Sequence, residues 1–237
     1  MAPTELTLRP AAPAELPAVA ELLIAARVAA YPSMPHGIHP PHEVREWVAG
    51  WDLATHAVWV AEAGSSIVGY ARFDEVWLDD LYVDPAAQGA GVGSALLELV
   101  KAQRPAGFCL WVFESNAPAR ALYRARGLVE LEFTDGSANE EKAPDLRMAW
   151  PGADPLAFYR GLIDDVDAQL GELLNRRAAL TAVVQQVKGS TERDHERERE
   201  IALALARRAP ALGEERLARI VHAIITESLD AVPPQES

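Results

Sequence analysis

A chain of 237 residues that is 49% hydrophobic and 24% charged has the composition of a soluble globular protein with one large or two modest cores. Its formal charge of -13 and pI near 4.9 argue against an electrostatic footprint for nucleic acid or for anionic membranes. No stretch approaches the ~20 apolar residues of a membrane span, and the N-terminus lacks the basic and apolar regions of an export signal. The single cysteine, Cys109, lies in the apolar run Phe108 to Phe113 and reads as a core residue. The expected compartment is therefore the cytoplasm.

In chain order, residues 5 to 10 read as a strand and the run from Ala14 to Ala30 as an amphipathic helix. A Pro/His/Gly-rich loop follows from Tyr31 to Pro41, then a helix from His42 to Trp51. Strands are expected at Ala57 to Ala63, Ile67 to Phe73 and Val76 to Val83, the first two separated by Gly64, Ser65 and Ser66. A helix starts near Gly91 and runs to Lys101. It is followed by a strand (Gly107 to Phe113), a helix (Ala117 to Arg126) and strands at Leu128 to Phe133 and Leu146 to Trp150. Such mixing implies an α/β layer around a mixed sheet.

The pattern changes at Trp150-Pro151-Gly152-Ala153-Asp154-Pro155, where two prolines and a glycine mark a boundary. Residues 1 to 150 are expected to form one domain, 151 to 155 a linker and 156 to 237 an all-helical domain. Its helices are expected at Leu156 to Val187, Asp194 to Arg208 and Glu214 to Val232, stopped by Pro233 and Pro234. A helical segment this small hardly buries its faces alone, so pairing with a second copy is expected.

Two constellations carry chemistry. The first is Gln88-Gly89-Ala90-Gly91-Val92-Gly93-Ser94, between a strand ending Leu81-Tyr82-Val83-Asp84-Pro85 and a helix. Glycines let backbone approach a ligand, and free amides at a helix start attract phosphate. The loop lacks the Gly-Lys-Ser/Thr ending of a P-loop. His36, His39 and His42 sit three residues apart in a proline-bearing loop; the prolines oppose the regular helix that would gather them around a metal, and no metal is expected.

The second constellation lies in the helical part. From Ile163, the apolar positions Val166, Leu170, Leu173, Leu180, Val184 and Val187 trace a seam that should be buried. Arg177 sits in this seam, and Lys188, eleven residues on, points the same way at roughly 100° per residue. Two cations facing a core call for compensating anions, so a small polyanion is the natural ligand. Asp194 is an N-cap for the second helix, sharing a face with Arg197 and Glu198, and Ser228 interrupts the apolar stripe Leu217, Ile220, Ile224. Arg160 lies about 100° around the first helix from Arg177, so the two do not easily serve one pocket in one subunit.

The Gln88 to Gly93 loop after a hydrophobic strand and Asp-Pro resembles the pyrophosphate loop of the GNAT acetyl-CoA-dependent N-acetyltransferases. Leu110-Trp111-Val112, Asn116, Ala121-Leu122-Tyr123 and Gly127-Leu128 resemble the family's second signature, with Leu128 at its usual Phe. The resemblance covers residues 5 to 150 and implies transfer of an acetyl group to a small amine, with acetyl-CoA as cosubstrate. It implies that the main chain of Leu81 and Val83 binds the pantetheine arm, that the amides of Gln88, Gly89, Ala90, Gly91, Val92, Gly93 and Ser94 hold the pyrophosphate, and that Asn116 lines the cleft. It gives Tyr123 the role of general acid and leaves Glu75, Asp79 and Asp80 as candidate bases near the acceptor.

Residues 156 to 232 resemble the all-helical AroQ class of chorismate mutases. The match comprises Arg160, Ile163-Asp164, Asp167, Leu170, Leu173-Leu174, Arg176-Arg177, Val184 to Lys188, Asp194, Arg197-Glu198 and Ile224-Ile225 with Ser228. The resemblance implies rearrangement of chorismate to prephenate, a step of aromatic amino acid biosynthesis, in an intertwined homodimer. Arg160 of the partner subunit and Arg177 would clamp carboxylates, Lys188 would donate to the ether oxygen and Glu198 would receive the ring hydroxyl. Arg197, Asp194 and Ser228 would order the pocket. Val232 stands where the family places Gln or Glu beside the ether oxygen, and Gln235 follows two prolines. Two alternatives stay open: action on 4-amino-4-deoxychorismate or isochorismate, and a non-catalytic dimerisation or sensor module for the acetyltransferase.

Overall fold

The computed structural model describes residues 5–188 and 193–231. It divides into two compact units, Met1–Tyr159 and Arg160–Ser237.

The first unit is α/β. Its strands are β1 (Leu6–Pro10), β2 (Ala57–Ala63), β3 (Ser66–Phe73), β4 (Leu78–Val83), β5 (Phe108–Phe113), β6 (Val129–Thr134) and β7 (Asp145–Trp150). The helices are α1 (Leu16–Ala29), α2 (Pro41–Ala49), α3 (Val92–Gln103) and α4 (Ala117–Ala125). Strands β1 to β4 form an antiparallel sheet in chain order, and β5, β7 and β6 form a second. Among the described residues the sheets meet at one parallel bridge, between Trp77 and Cys109, where the Cys109 amide donates to the Val76 carbonyl at 2.8 Å. Past that point β4 and β5 have no ladder pairing, so they splay and leave a cleft between them.

Two-residue alternation sends the central strands' side chains into cores on both faces. Val58, Val60 and Tyr70 pack with Leu16, Val19, Leu23 and Val48 on the α1/α2 side. Ala61, Ala71 and Phe73 pack with Leu96, Leu97 and Val100 on the α3 side. α1 buries Leu16, Val19, Ala20, Leu22, Leu23 and Ala26, the spacing of an amphipathic helix. Gly69 seats α3 against β3: a Cβ there would lie 2.8 Å from Val92 Cγ1. That close approach fixes where the first turn of α3 points.

The strand expected from Val76 begins two residues later. Asp74 Oδ1 accepts from the amides of Val76 (2.8 Å) and Trp77 (2.6 Å), which holds the chain in a turn and places Glu75 in a bend.

The second unit is helical: α5 (Pro155–Lys188), which begins just before the unit boundary, α6 (His195–Arg208) and α7 (Gly213–Asp230). Asp194 caps α6, its carboxylate accepting from the Arg197 amide at 2.9 Å. α6 and α7 bury Ala202, Leu217, Val221 and Ser228. The α5 seam is open to solvent in the single chain: Leu170 is 48% exposed, Leu173 56% and Val187 83%. Its periodicity is that of a buried face, and of its positions Arg177 is met by α7, through Ser228 and the Ile224 carbonyl. No helix among the described residues is long and apolar enough to cross a membrane.

Candidate active sites

The splay between β4 and β5 opens a cleft of about 1090 Å³, lined by Leu78 to Val83 from one strand and Leu110 to Phe113 from the other. The Asp84 amide donates to the Val68 carbonyl of β3 at 2.9 Å. Because backbone groups alternate sides along a strand, Leu81 and Val83 turn theirs away from β3, toward the cleft. At one end the cleft is walled by Gln88, Gly89, Gly91, Val92, Gly93 and Ser94. Gly89 (φ 78°) and Gly91 (φ 86°) occupy left-handed backbone, and a Cβ at either would meet nothing within 4 Å. The first intrahelical bond here runs from the Ala95 amide to the Gly91 carbonyl at 3.0 Å. The amides of the preceding turn thus face outward at the positive end of the helix dipole. This backbone cradle fits an anionic group that must come close to the main chain, such as a pyrophosphate.

Deeper in the cleft, Asn116 caps α4 through the Ala119 amide at 3.2 Å, and Tyr123 is buried. A register shift in the β3/β4 ladder at Arg72/Phe73 brings Asp79 and Asp80 together beside the lining. Asp80 is 8% exposed and accepts from Arg72 Nε at 2.6 Å. Arg72 Nη1 lies 3.6 Å from Asp79 Oδ2, with His56 Nε2 at 3.7 Å from the same oxygen. The Arg72 guanidinium packs over the rings of Trp47 and Trp51. Burial pushes both carboxyls above the usual aspartate value, and the charge of Arg72 pulls them part of the way back. The Tyr123 hydroxyl is driven well above its ordinary value by burial and by the nearby Asp80, so it stays protonated. Tyr82 is raised for the same reasons. A proton acceptor and a proton donor thus face one cavity.

In the helical unit, Arg177 Nη1 donates to Ser228 Oγ at 2.7 Å and to the Ile224 carbonyl at 3.4 Å. Glu198 is elsewhere: Arg193 grips it through Nε (2.7 Å) and Nη2 (2.9 Å) while donating to Thr226 Oγ1 (2.8 Å) and His222 Nδ1 (3.0 Å). This pairing holds the Glu198 carboxyl below its usual value. On α7, His222 and Thr226 lie roughly 120 to 160° around from Ile224 and Ser228. A cleft of about 370 Å³ lined by Glu198, His195, Ala202, Val221 and His222 therefore includes none of Arg177, Lys188 and Ser228.

Residues 54–130 match the family model of the acetyltransferase (GNAT) domain, and residues 159–231 match that of chorismate mutase type II. The chain joins a GNAT acetyltransferase domain to a type II chorismate mutase domain. Solved structures with the fold of the acetyltransferase domain include apo YjaB from Escherichia coli, 22% identical, with TM-score 0.52 over 63% of this chain and 99% of that one. YncA from Salmonella typhimurium, solved with acetyl-CoA, is 20% identical with TM-score 0.51, over 63% of this chain and 95% of that one. A GNAT-family acetyltransferase from Bacillus cereus is 15% identical with TM-score 0.51, over 63% and 99%. No curated protein gives a significant match.

In the acetyltransferase domain, Asp79, Asp80, Leu81, Val83, Asn116 and Tyr123 line one cleft together with the glycine loop. Ala90 belongs to the loop without lining the cleft. Glu75, in its exposed bend, also lies outside it. The Tyr31 to Pro41 loop contributes Tyr31, Ser33 and Met34. His39 in that loop bonds Glu43 at 2.9 Å and Glu140 at 3.0 Å, whereas His36 stacks on Tyr31. Sequence reasoning missed Arg27 and Glu141, which lie on the same cleft. Arg27 had a signal, because it follows Leu23 and Ala20 on the apolar face of α1, the same kind of anomaly that marks Arg177.

In the mutase domain, Arg177 and Ser228 meet as the stripe positions require. Arg160 and Lys188 are exposed on α5, and Arg197 turns outward to pair with Glu200 at 3.0 Å. Asp194 serves as a cap. Two further residues escaped notice: Arg193, which engages Glu198, and Gln185, a buried amide on α5. Val232 and Gln235 lie outside the described residues.

Proposed function

We propose that this chain is a bifunctional enzyme that transfers an acetyl group from acetyl-CoA to a small amine and converts chorismate to prephenate. One observation carries the first activity: the splayed strands place a free backbone edge, a glycine cradle at a helix start, a buried carboxylate and a buried phenol around one cleft. Bound there, acetyl-CoA supplies an acetyl group activated as a thioester. The cradle from Gln88 to Ser94 holds the pyrophosphate, and Leu81 and Val83 offer main-chain bonds to the pantetheine arm. Asp80 takes a proton from the incoming ammonium, and Tyr123 gives one to the departing sulfur. Arg72 orients Asp80, with Asp79 beside it.

The second activity rests on Arg177, whose guanidinium is fixed by Ser228 at a face that cations avoid unless they meet anions. Arg177 and Arg160 of the partner subunit hold the two carboxylates in a compact conformation, and Lys188 donates to the ether oxygen. Glu198 takes the ring hydroxyl only in an arrangement where its carboxylate turns from Arg193 toward the Arg177 side of α7. In the single chain its task is to tie α6 to α7.

This reading includes a homodimer through the helical domain, because the α5 seam has the periodicity of a buried face and is open in one copy. Leu173→Asp is expected to leave a monomer in analytical ultracentrifugation, with chorismate turnover near background and acetyl transfer retained. A dimer that keeps both activities would count against the seam. The whole proposal is tested by giving the purified chain acetyl-CoA with a panel of amines, and chorismate in a separate assay. Turnover in both supports it, and absence of one removes that half. The pathway and the cytoplasmic location belong to this reading too, the latter supported by the composition and the single buried cysteine.

A further inference from the structure

The acceptor end of the acetyltransferase cleft carries an uneven set of charges. Asp79, Asp80, Glu141 and Asp145 line it, and Arg27 is the one cation among the lining residues. Arg27 is already engaged, with Nη2 donating to Glu141 Oε1 at 2.5 Å. Its Nε is buried without a hydrogen-bond partner and lies against Gly37 of the loop, where a Cβ would be 3.6 Å away. Asp145 is held in place by Asn139 Nδ2 at 3.0 Å and by the Thr134 hydroxyl. An ammonium entering this end meets several acceptors. A carboxylate beside the reacting nitrogen meets like charges and, among the described lining residues, one cation, Arg27, whose charge Glu141 already offsets. Tyr31, Met34 and Tyr82 offer contact to the remainder of the acceptor.

We propose that the acceptor is a cationic amine with no carboxylate adjoining the reacting nitrogen, and that Glu141 sets this preference by occupying Arg27. The proposal rests on the acetyl-transfer reading above and narrows it. It points away from amino acids, the class that fusion to an aromatic-pathway enzyme would suggest, and toward amines that lack the carboxylate.

Matched pairs that have one amine and differ only by the adjoining carboxylate test it with the full chain and acetyl-CoA: tyramine against tyrosine and tryptamine against tryptophan. With the acetylated product quantified by mass spectrometry, the amine of every reactive pair is expected to exceed its amino acid at least tenfold in kcat/KM. An amino acid equal to or better than its amine overturns the proposal. Glu141→Gln releases Arg27 and is expected to shrink the ratio at least threefold; an unchanged ratio overturns the role of Glu141. Calorimetric titration with acetyl-CoA separates the two levels. Binding without acetylation of any pair overturns this proposal alone, and no binding overturns the acetyl-transfer reading and the proposal with it.

Discussion

Asp80→Asn is expected to lower kcat/KM for acetyl transfer by about 10²- to 10⁴-fold, the range that a positioned general base contributes. The substitution is nearly isosteric, and Arg72 keeps Asp79 at 3.6 Å as a partner. The loss therefore reports chemistry, and thermal unfolding checks this. Burial raises the Asp80 carboxyl in the folded protein. Its contribution to stability is thus fully present below the ordinary aspartate value and lost as pH rises through the raised one. At neutral pH ionised Asp80 costs stability, so the Asn variant is expected to melt no lower than the parent. The same shift sets the pH profile: kcat/KM should fall as pH drops through a value above the usual aspartate range. Tyr123, protonated beyond its ordinary value, adds no basic limb at neutral pH. A profile flat down to the ordinary carboxylate range would remove Asp80 from the role of base. Tyr123→Phe, which deletes only the hydroxyl, is the companion variant for the donor.

Arg177→Ala is expected to reduce kcat/KM for chorismate by about 10²- to 10³-fold, the cost of removing one preorganised donor from an anion site. Arg177→Lys keeps the charge and none of the forked geometry, so its rate should fall between those of the parent and Arg177→Ala. Ser228→Ala should do far less, because Ser228 orients the guanidinium and Arg177 also donates to the Ile224 carbonyl. Acetyl transfer in all three should match the parent. If Arg177→Ala turned over chorismate as fast as the parent, the clamp would be misassigned. If chorismate bound the parent, altered acetylation and was never consumed, the sensor reading of the helical domain would hold instead.

The features legible in the sequence are those that depend on local chemistry. The glycine loop stood out because Gly89 and Gly91 adopt positive φ, which few other residues tolerate. The strands of the first unit are marked by alternation, as in Val58, Val60 and Tyr70 against Ala61, Ala71 and Phe73. Arg177 and Ser228 met because each interrupts an apolar stripe, and two polar interruptions in facing helices tend to satisfy one another. What stayed hidden depends on tertiary placement. The parting of β4 from β5 follows from how the two sheets are joined at Trp77 and Cys109, which no spacing in either strand records. Glu75 looked like a strand acid until Asp74 drew it into a turn. Arg193 is one of several charges around the start of α6, and only the packing of α6 on α7 shows that it reaches Glu198 and Thr226 together. The α5 seam is apolar at helical spacing, yet Leu170, Leu173 and Val187 are open to solvent in the single chain, and burying them is left to the proposed dimer.

That last point leads to the measurement that tests the fusion most directly. If each mutase site takes Arg177 from one chain and Arg160 from the other, Arg160→Ala and Arg177→Ala proteins are each inactive toward chorismate. A heterodimer of the two has one site carrying both lesions and one intact site. Unfolding and refolding an equal mixture, or coexpressing the pair, should then restore about a quarter of the parental turnover by random pairing, with acetyl transfer unaffected throughout. A mixture no more active than either variant alone would contradict both the shared site and the mutase assignment built on it.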